Sequence, residues 1–455
     1  MIRSDVSGRM PARTLPILYL VTAHVSLAVA FAVAGSWPRA VAGFFYHSWL
    51  VGLVHLVTLG WITFSILGAI YIVGPVALRM PIAAKRADYV AYACAAIGLV
   101  GMVGHFWIAE YAGMAWAAAA IASAVLFMTG RIVTAVRRAL IDRAVKLHIA
   151  LACVNFWIAA SMGLLIAFDK VGHFLPGFVL ANVFAHAHLA ALGWATMMVL
   201  GVGYRLLPMV LASKMPSGRS IYASAVLLEL GVLGLFTTLL LRSGSARWCG
   251  VLVVAGIGVF AGQVAWMVRH RVLRRVDAHA VDFAVLHAAG AGVSLVLAVA
   301  LGVALLIRPA SVQMLRAAAA YGVFGLLGFL GQMIVAMEAR LLPMAAWYWG
   351  YAGSDDRVAP PSPHAMRDRT LQAVVFAAWT AGVPALAGGM FLESAALVSA
   401  GAWTLFAAVV VAAVDTSFVV GRTFRRHDSV FRRHDVPKDW SSAGSHVRGA
   451  ARAAQ

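Results

Sequence analysis

Eight of the chain's fifteen histidines fall within or at the edge of long apolar stretches: His24, His55, His105, His148, His186, His188, His279 and His287. An imidazole in hydrocarbon is costly unless it pairs with a polar neighbour or binds a ligand, so each is a functional candidate. Neutral imidazole is the commonest protein metal ligand and also an axial ligand of haem iron. Only three acids lie in comparable surroundings, Glu229, Glu338 and Asp415. That balance points to metal or haem rather than to a carboxylate proton relay.

His55 and His188 stand out because they occupy one position in two copies of a repeat. Set at an offset of 133 residues, the stretch from His55 to Pro75 matches the stretch from His188 to Pro208 at ten of 21 positions without a gap, including Leu-Gly-Trp at 59–61 and 192–194. A fainter third copy follows 135 residues on, with Leu327, Gly328 and Phe329 for Leu-Gly-Trp and Arg340, Leu341, Leu342 and Pro343 for Arg-Leu-Leu-Pro. Val323 stands there in the place of the histidine. So long a period describes a bundle of several elements rather than a solenoid hairpin.

His186 precedes His188 by two residues, roughly 200° around a regular helix, so the two are expected to serve different places. His188 is the favoured ligand, and His186 is expected to line a neighbouring channel or interface, with a shared metal as the lesser reading. His148 and His287, in Lys-Leu-His and Val-Leu-His contexts near the starts of their apolar runs, are candidates for a second cofactor pair. His24, His105 and His279 read better as hydrogen-bonding partners between helices. The repeated glycines need only close helix approach to explain them. Trp61 and Trp194 read first as core, Met333 and Met337 as packing residues before soft ligands, and Arg205 and Arg340 as snorkelling cations.

With 62% hydrophobic and 12% charged residues, the chain cannot be an ordinary soluble domain, where those shares are nearer ~45–50% and ~25%. The fold class is all-α: a polytopic membrane protein of twelve transmembrane helices in three pseudo-repeated four-helix units, about 15–134, 147–268 and 281–420. Residues 1–14 form an N-terminal segment, 15–420 one membrane domain, and 421–455 a basic tail, expected to be flexible and to lie on anionic lipid. An Ala-Val-Ala before Gly35 leaves a cleaved signal as the competing reading of the first span, which the internal His24 disfavours. Spans two, six and ten, at about Tyr46–Ala77, Phe178–Leu211 and Ala317–Trp349, carry the motif copies, and Pro75, Pro208 and Pro343 are expected to close them.

The net charge of +19 would suggest nucleic acid in a soluble protein. Here the cations sit between apolar runs, so the partner is the lipid bilayer, and nucleic acid is not expected. All but six of the 36 Lys and Arg residues fall at the two ends or in alternate loops. The positive-inside rule then places both termini in the cytoplasm. Cys94, Cys153 and Cys249 lack metal-ligand spacing and read as small apolar residues.

Twelve spans in three sets of four, with a histidine on the second and sixth, resemble subunit I of the haem-copper oxidase superfamily, which includes cytochrome oxidases and nitric oxide reductases. The resemblance implies His55 as a haem ligand and His188 as a copper-site histidine. Span seven, Ile221–Leu241, lacks the family's adjacent histidine pair, and span ten has no histidine. Oxygen reduction at the usual binuclear centre is therefore not expected. The Leu-Gly-Trp core is similar to that of a divergent bacterial branch, the NnrS-like membrane proteins, which are associated with haem, copper and nitric oxide stress.

The expectation is a haem-binding membrane protein, with copper as a further cofactor candidate, serving respiratory electron transfer or nitric oxide metabolism and meeting a cytochrome or other electron-transfer partner. An oxidoreductase activity is left open. The competing classes are a twelve-helix secondary transporter and a cofactor-free assembly or structural protein. A transporter would more usually show a two-fold internal relation and a Gly/Pro-broken midplane helix.

Overall fold

The computed structural model describes residues 11–216, 218–271, 281–351 and 362–434. His279, most of the polar loop after Gly350 and the end of the tail lie outside the described residues. Among the described residues, twelve helices are long and apolar enough to cross a membrane: helix one Thr14–Ser36, two Ser48–Val76, three Arg86–Trp107, four Tyr111–Arg138, five Arg143–Gly172, six Val179–Leu211, seven Arg219–Leu240, eight Ala246–Arg269, nine Phe283–Ile307, ten Val312–Tyr351, eleven Arg369–Phe391 and twelve Ala395–Gly421. Among the described residues there is no strand, only one isolated bridge between Ser213 and Arg271. Large apolar side chains such as Ile97, Val100, Trp116 and Val296 stand exposed on the outer surface, which suits contact with lipid and would be a liability in water.

The chain marks its helix starts with acids placed where backbone N–H groups would otherwise go unbonded. Asp142 accepts from Ala144 N, Asp282 from Ala284 N, and Asp368 from Thr370 N and Leu371 N, at the starts of helices five, nine and eleven. The far end of the chain returns to its beginning. Ser399 on helix twelve donates to the carbonyl of Gly35 at 3.0 Å, and a Cβ at Gly35 would come within 2.7 Å of Trp403 Nε1. Helix one is thereby built into the bundle between helices two and twelve.

Helices two, six and ten are not regular α-helices. Each passes into a π-helical segment of eight residues, Leu56–Thr63, Leu189–Thr196 and Phe324–Gly331, beginning one residue after His55, His188 and Val323. The residue closing each segment bonds five residues back, Phe64 to Leu59, Met197 to Leu192, and Gln332 to Leu327. Such segments insert extra backbone into a helix and are frequent at functional sites. The three segments touch one another, and each also packs on the helix before it, one, five or nine.

The central glycine of each copy explains that contact. A Cβ would lie 2.5 Å from Ser26 Cβ at Gly60, 2.9 Å from Asn155 Cβ at Gly193, and 2.7 Å from Ser294 Cβ at Gly328. Small residues at these points let two backbones approach closely, the main device for packing helices in lipid. The glycines thus serve the helix contact rather than the face of a ligand.

Three expectations need correction. Pro208 and Pro343 lie inside their helices, which run on to Leu211 and Tyr351. Within a bundle, neighbouring helices and local backbone adjustment absorb the lost hydrogen bond, so proline does not stop the helix. Arg205 and Arg340 do not snorkel into open solvent. Arg205 Nε donates to the carbonyl of Ala77 at 3.0 Å, and Arg340 pairs with Asp282. The helix of the twelfth span also runs on as backbone helix to His434, through the first part of the basic tail.

Candidate functional site

The half of the bundle away from the chain ends holds a partly open cavity of about 830 Å³, lined by residues from every helix but the last. Its wall is mostly aliphatic and aromatic. The polar groups on it include His55, His186, His188, Tyr321, Lys170 and Arg308, and none of its described lining residues is acidic. Cofactor and ligand cavities of this apolar kind run to ~300–1,000 Å³.

His55 and His188 meet the cavity in matching ways. The Nδ1 of each lies 2.8 Å from the carbonyl four residues earlier on its own helix, Val51 for His55 and Phe184 for His188. A carbonyl can only accept, so Nδ1 carries the hydrogen and the lone pair is on Nε2. Among the described residues neither Nε2 has a hydrogen-bond partner. Each ring stacks on an aromatic from another helix, His55 on Phe106 (centroids 5.5 Å, 22°) and His188 on Tyr321 (5.8 Å, 21°). A packed ring with a bare Nε2 at a cavity wall is what an axial or metal ligand requires.

His186 and His188 do diverge, as their spacing demands. The first turns to helix five, where its Nδ1 bonds the carbonyl of Ala159 at 3.0 Å and its ring covers Gly163. His188 turns to helix ten. The expectation that they belong to different places is nevertheless modified, because the cavity extends round helix six and both line it. Among the described residues no three His, Cys, Asp or Glu side chains converge to hold a metal ion.

His148 and His287 are not brought together, and neither lines this cavity. His148 is fully buried beside Tyr204, its Nδ1 on Ala144 O at 2.8 Å. His287 Nδ1 lies 3.4 Å from Gln332 Nε2, and its ring meets Phe376. Of the other histidines, His24 pairs with Glu338 on helix ten and His105 lies 3.5 Å from Glu110. These are the polar partnerships expected of isolated membrane histidines.

Trp61 and Trp194 are core residues, against His24 and Phe156 respectively. Met333 is buried in the core with Met337 packed against it, and neither lines the cavity. Sequence reasoning missed Phe106 and Tyr321, which hold the two rings, and the cations Lys170 and Arg308 on the cavity wall. Nothing in an apolar run marks which aromatic will meet a histidine from another helix. No family model matches the chain, and no curated protein matches it either.

Proposed function

We propose that this twelve-helix membrane protein binds haem in its central cavity and serves electron transfer or nitric oxide metabolism in a bacterial inner membrane, with both termini cytoplasmic and a cytochrome or other carrier as electron partner. His55 is the axial ligand, and His188 the ligand of a second haem or of copper. The observation that carries this reading is the matched state of the two rings: oriented through Nδ1, packed against an aromatic, and presenting an unpartnered Nε2 to a large apolar cavity. Haem brings its own equatorial donors and asks the chain for only one or two axial ones. It therefore fits a donor set in which no three side chains converge. Bound haem would supply one-electron chemistry or a site for a diatomic ligand.

What the chain itself contributes is orientation and exclusion of water. Phe106 and Tyr321 fix the ring planes, the aliphatic wall keeps the cavity dry, and Lys170 and Arg308 supply positive charge for acidic groups on the ligand. Reduced-minus-oxidised spectra and metal analysis of protein made with ample haem and copper test the proposal. A haem or copper signal removed or shifted in each of His55→Ala and His188→Ala, at normal protein levels, is expected. Protein so prepared that carries neither haem nor metal overturns it, and solute transport by such protein would favour the transporter class.

A further inference from the structure

A second polar centre lies outside the central cavity, where helices one and ten meet. His24 Nε2 stands 3.4 Å from Glu338 Oε2, and both side chains are almost wholly buried. His24 Nδ1 lies 2.8 Å from the carbonyl of Leu20, so its hydrogen is committed there. The facing atoms, Nε2 and Oε2, are then both acceptors unless one further proton sits between them. Two lone pairs held face to face in a low-dielectric interior repel, and a bare carboxylate there is costly. The contact as built requires that proton, whether it rests on the imidazole or on the carboxyl.

The other oxygen shows how the proton arrives. Among the described residues, neither Glu338 Oε1 nor Arg367 Nε has a hydrogen-bond partner, and both atoms are buried. Both residues line a small separate cavity of about 20 Å³, together with His287, Gln372, Asp415 and Thr416. A water needs roughly 10–15 Å³ and two or more polar partners. The cavity therefore suits one water between Glu338 Oε1 and Arg367 Nε. Arg367 belongs to the connection entering helix eleven, on the face where both chain ends lie. Its Nη1 pairs with Asp415 Oδ2 at 2.7 Å, its Nη2 donates to the main-chain oxygen of Glu338 at 3.1 Å, and Asp415 Oδ1 accepts from Asp368 N at 3.1 Å.

We propose that Glu338 and His24 form a proton-binding site, loaded from the face bearing the chain ends through the single water beside Arg367. One proton from the solvent on that face is relayed through the water, which takes one proton up as it gives one to the pair, converting a carboxylate beside a neutral imidazole into a hydrogen-bonded pair of no net charge, and no electrons move. Among the described residues, the charged and titratable groups facing Glu338 are His24 from helix one, His287 from helix nine, Arg367 from the connection before helix eleven, and Asp415 from helix twelve. On its far side His24 meets the indole of Trp61 edge-on (centroids 5.1 Å, 87°), within the π-helical segment of helix two. Uptake of the proton thus acts on one of the three central segments. The site stands independently of what the large cavity holds.

The test is infrared difference spectroscopy of the full chain in lipid nanodiscs through a pH titration, with no cofactor added. A carboxylic C=O band that follows pH and disappears in Glu338→Gln is expected, with about one proton fewer titrated per chain. His24→Asn should move the midpoint by about one unit or more, the scale set by an ionisable neighbour at this distance. In vesicles the band should respond to a pH step on the face bearing the chain ends. A band unchanged in Glu338→Gln overturns the proposal. So does a midpoint unmoved in His24→Asn, which decides the matter if Glu338→Gln fails to accumulate. Competition by sodium ions at constant pH would show a metal-cation site and overturn it as well.

Discussion

Trp194 donates its indole N–H to the hydroxyl of Thr63 at 3.2 Å, tying the π-helical segment of helix six to that of helix two. Thr63 Oγ1 in turn donates to the carbonyl of Thr58, five residues back, at 2.9 Å. One hydroxyl thus joins two repeat copies and uses its own hydrogen on a carbonyl of the widened helix. The segment of helix ten is tied instead to helix eleven, Trp379 Nε1 donating to Leu327 O at 3.2 Å. Thr63→Val should leave a buried indole donor unpaired and lower stability by about 1–3 kcal/mol. Thr63→Ser should recover most of the loss. Thermal unfolding in nanodiscs measures this, and equal losses in both variants would show that methyl packing rather than the hydrogen bond matters.

The glycines divide by surroundings rather than by position in the motif. Gly60→Ala, Gly193→Ala and Gly328→Ala each drive a Cβ into the helix before them and should cost about 1–3 kcal/mol by overpacking. Gly325 has open space where its Cβ would stand. Gly325→Ala should therefore be tolerated, and thermal melting of the four variants side by side makes the comparison. A loss at Gly325 equal to the other three would mean that the π-helical backbone itself demands glycine.

Arg367 and Asp415 form an ion pair with both side chains buried. Removing one partner strands the other charge, so Arg367→Met or Asp415→Leu alone should destabilise by about 3–5 kcal/mol. The double variant should lose less than either single change, because no uncompensated charge remains. Folded yield and melting temperature of the three variants check this. Additive losses would deny the coupling.

Among the described residues, His186 hydrogen-bonds across to helix five, whereas His55 and His188 bond only to their own helices. The interhelical bond is reason enough for His186 to be there. His186→Ala should therefore lower stability by about 1 kcal/mol and largely keep any haem or copper spectrum, which His55→Ala and His188→Ala should remove or shift. Absorption spectra at matched protein levels separate the cases. A spectrum lost with His186 and kept without His188 would reverse the assignment.

Twelve spans and the three motif copies were legible in the sequence because apolar length and residue identity are local properties, written along the chain. His55 and His188 emerged for the same reason: a repeat that puts two residues in one register also puts them in matching surroundings. The π-helical backbone was not legible. Whether a carbonyl bonds the fourth or the fifth residue on depends on the neighbouring helix pressing against Gly60, Gly193 or Gly328, and Leu-Gly-Trp does not name that neighbour. The shared wall of His186 and His188 escaped for a related reason. Angular spacing fixes where a side chain points but not how far a cavity extends round its helix. The pairing of His24 with Glu338, and of Arg367 with Asp415, joins residues far apart in the chain. Sequence showed each of the first two as a polar residue that must find a partner in hydrocarbon, and only the tertiary structure, by bringing a side chain of helix one against one of helix ten and folding a connecting segment inward, decided which.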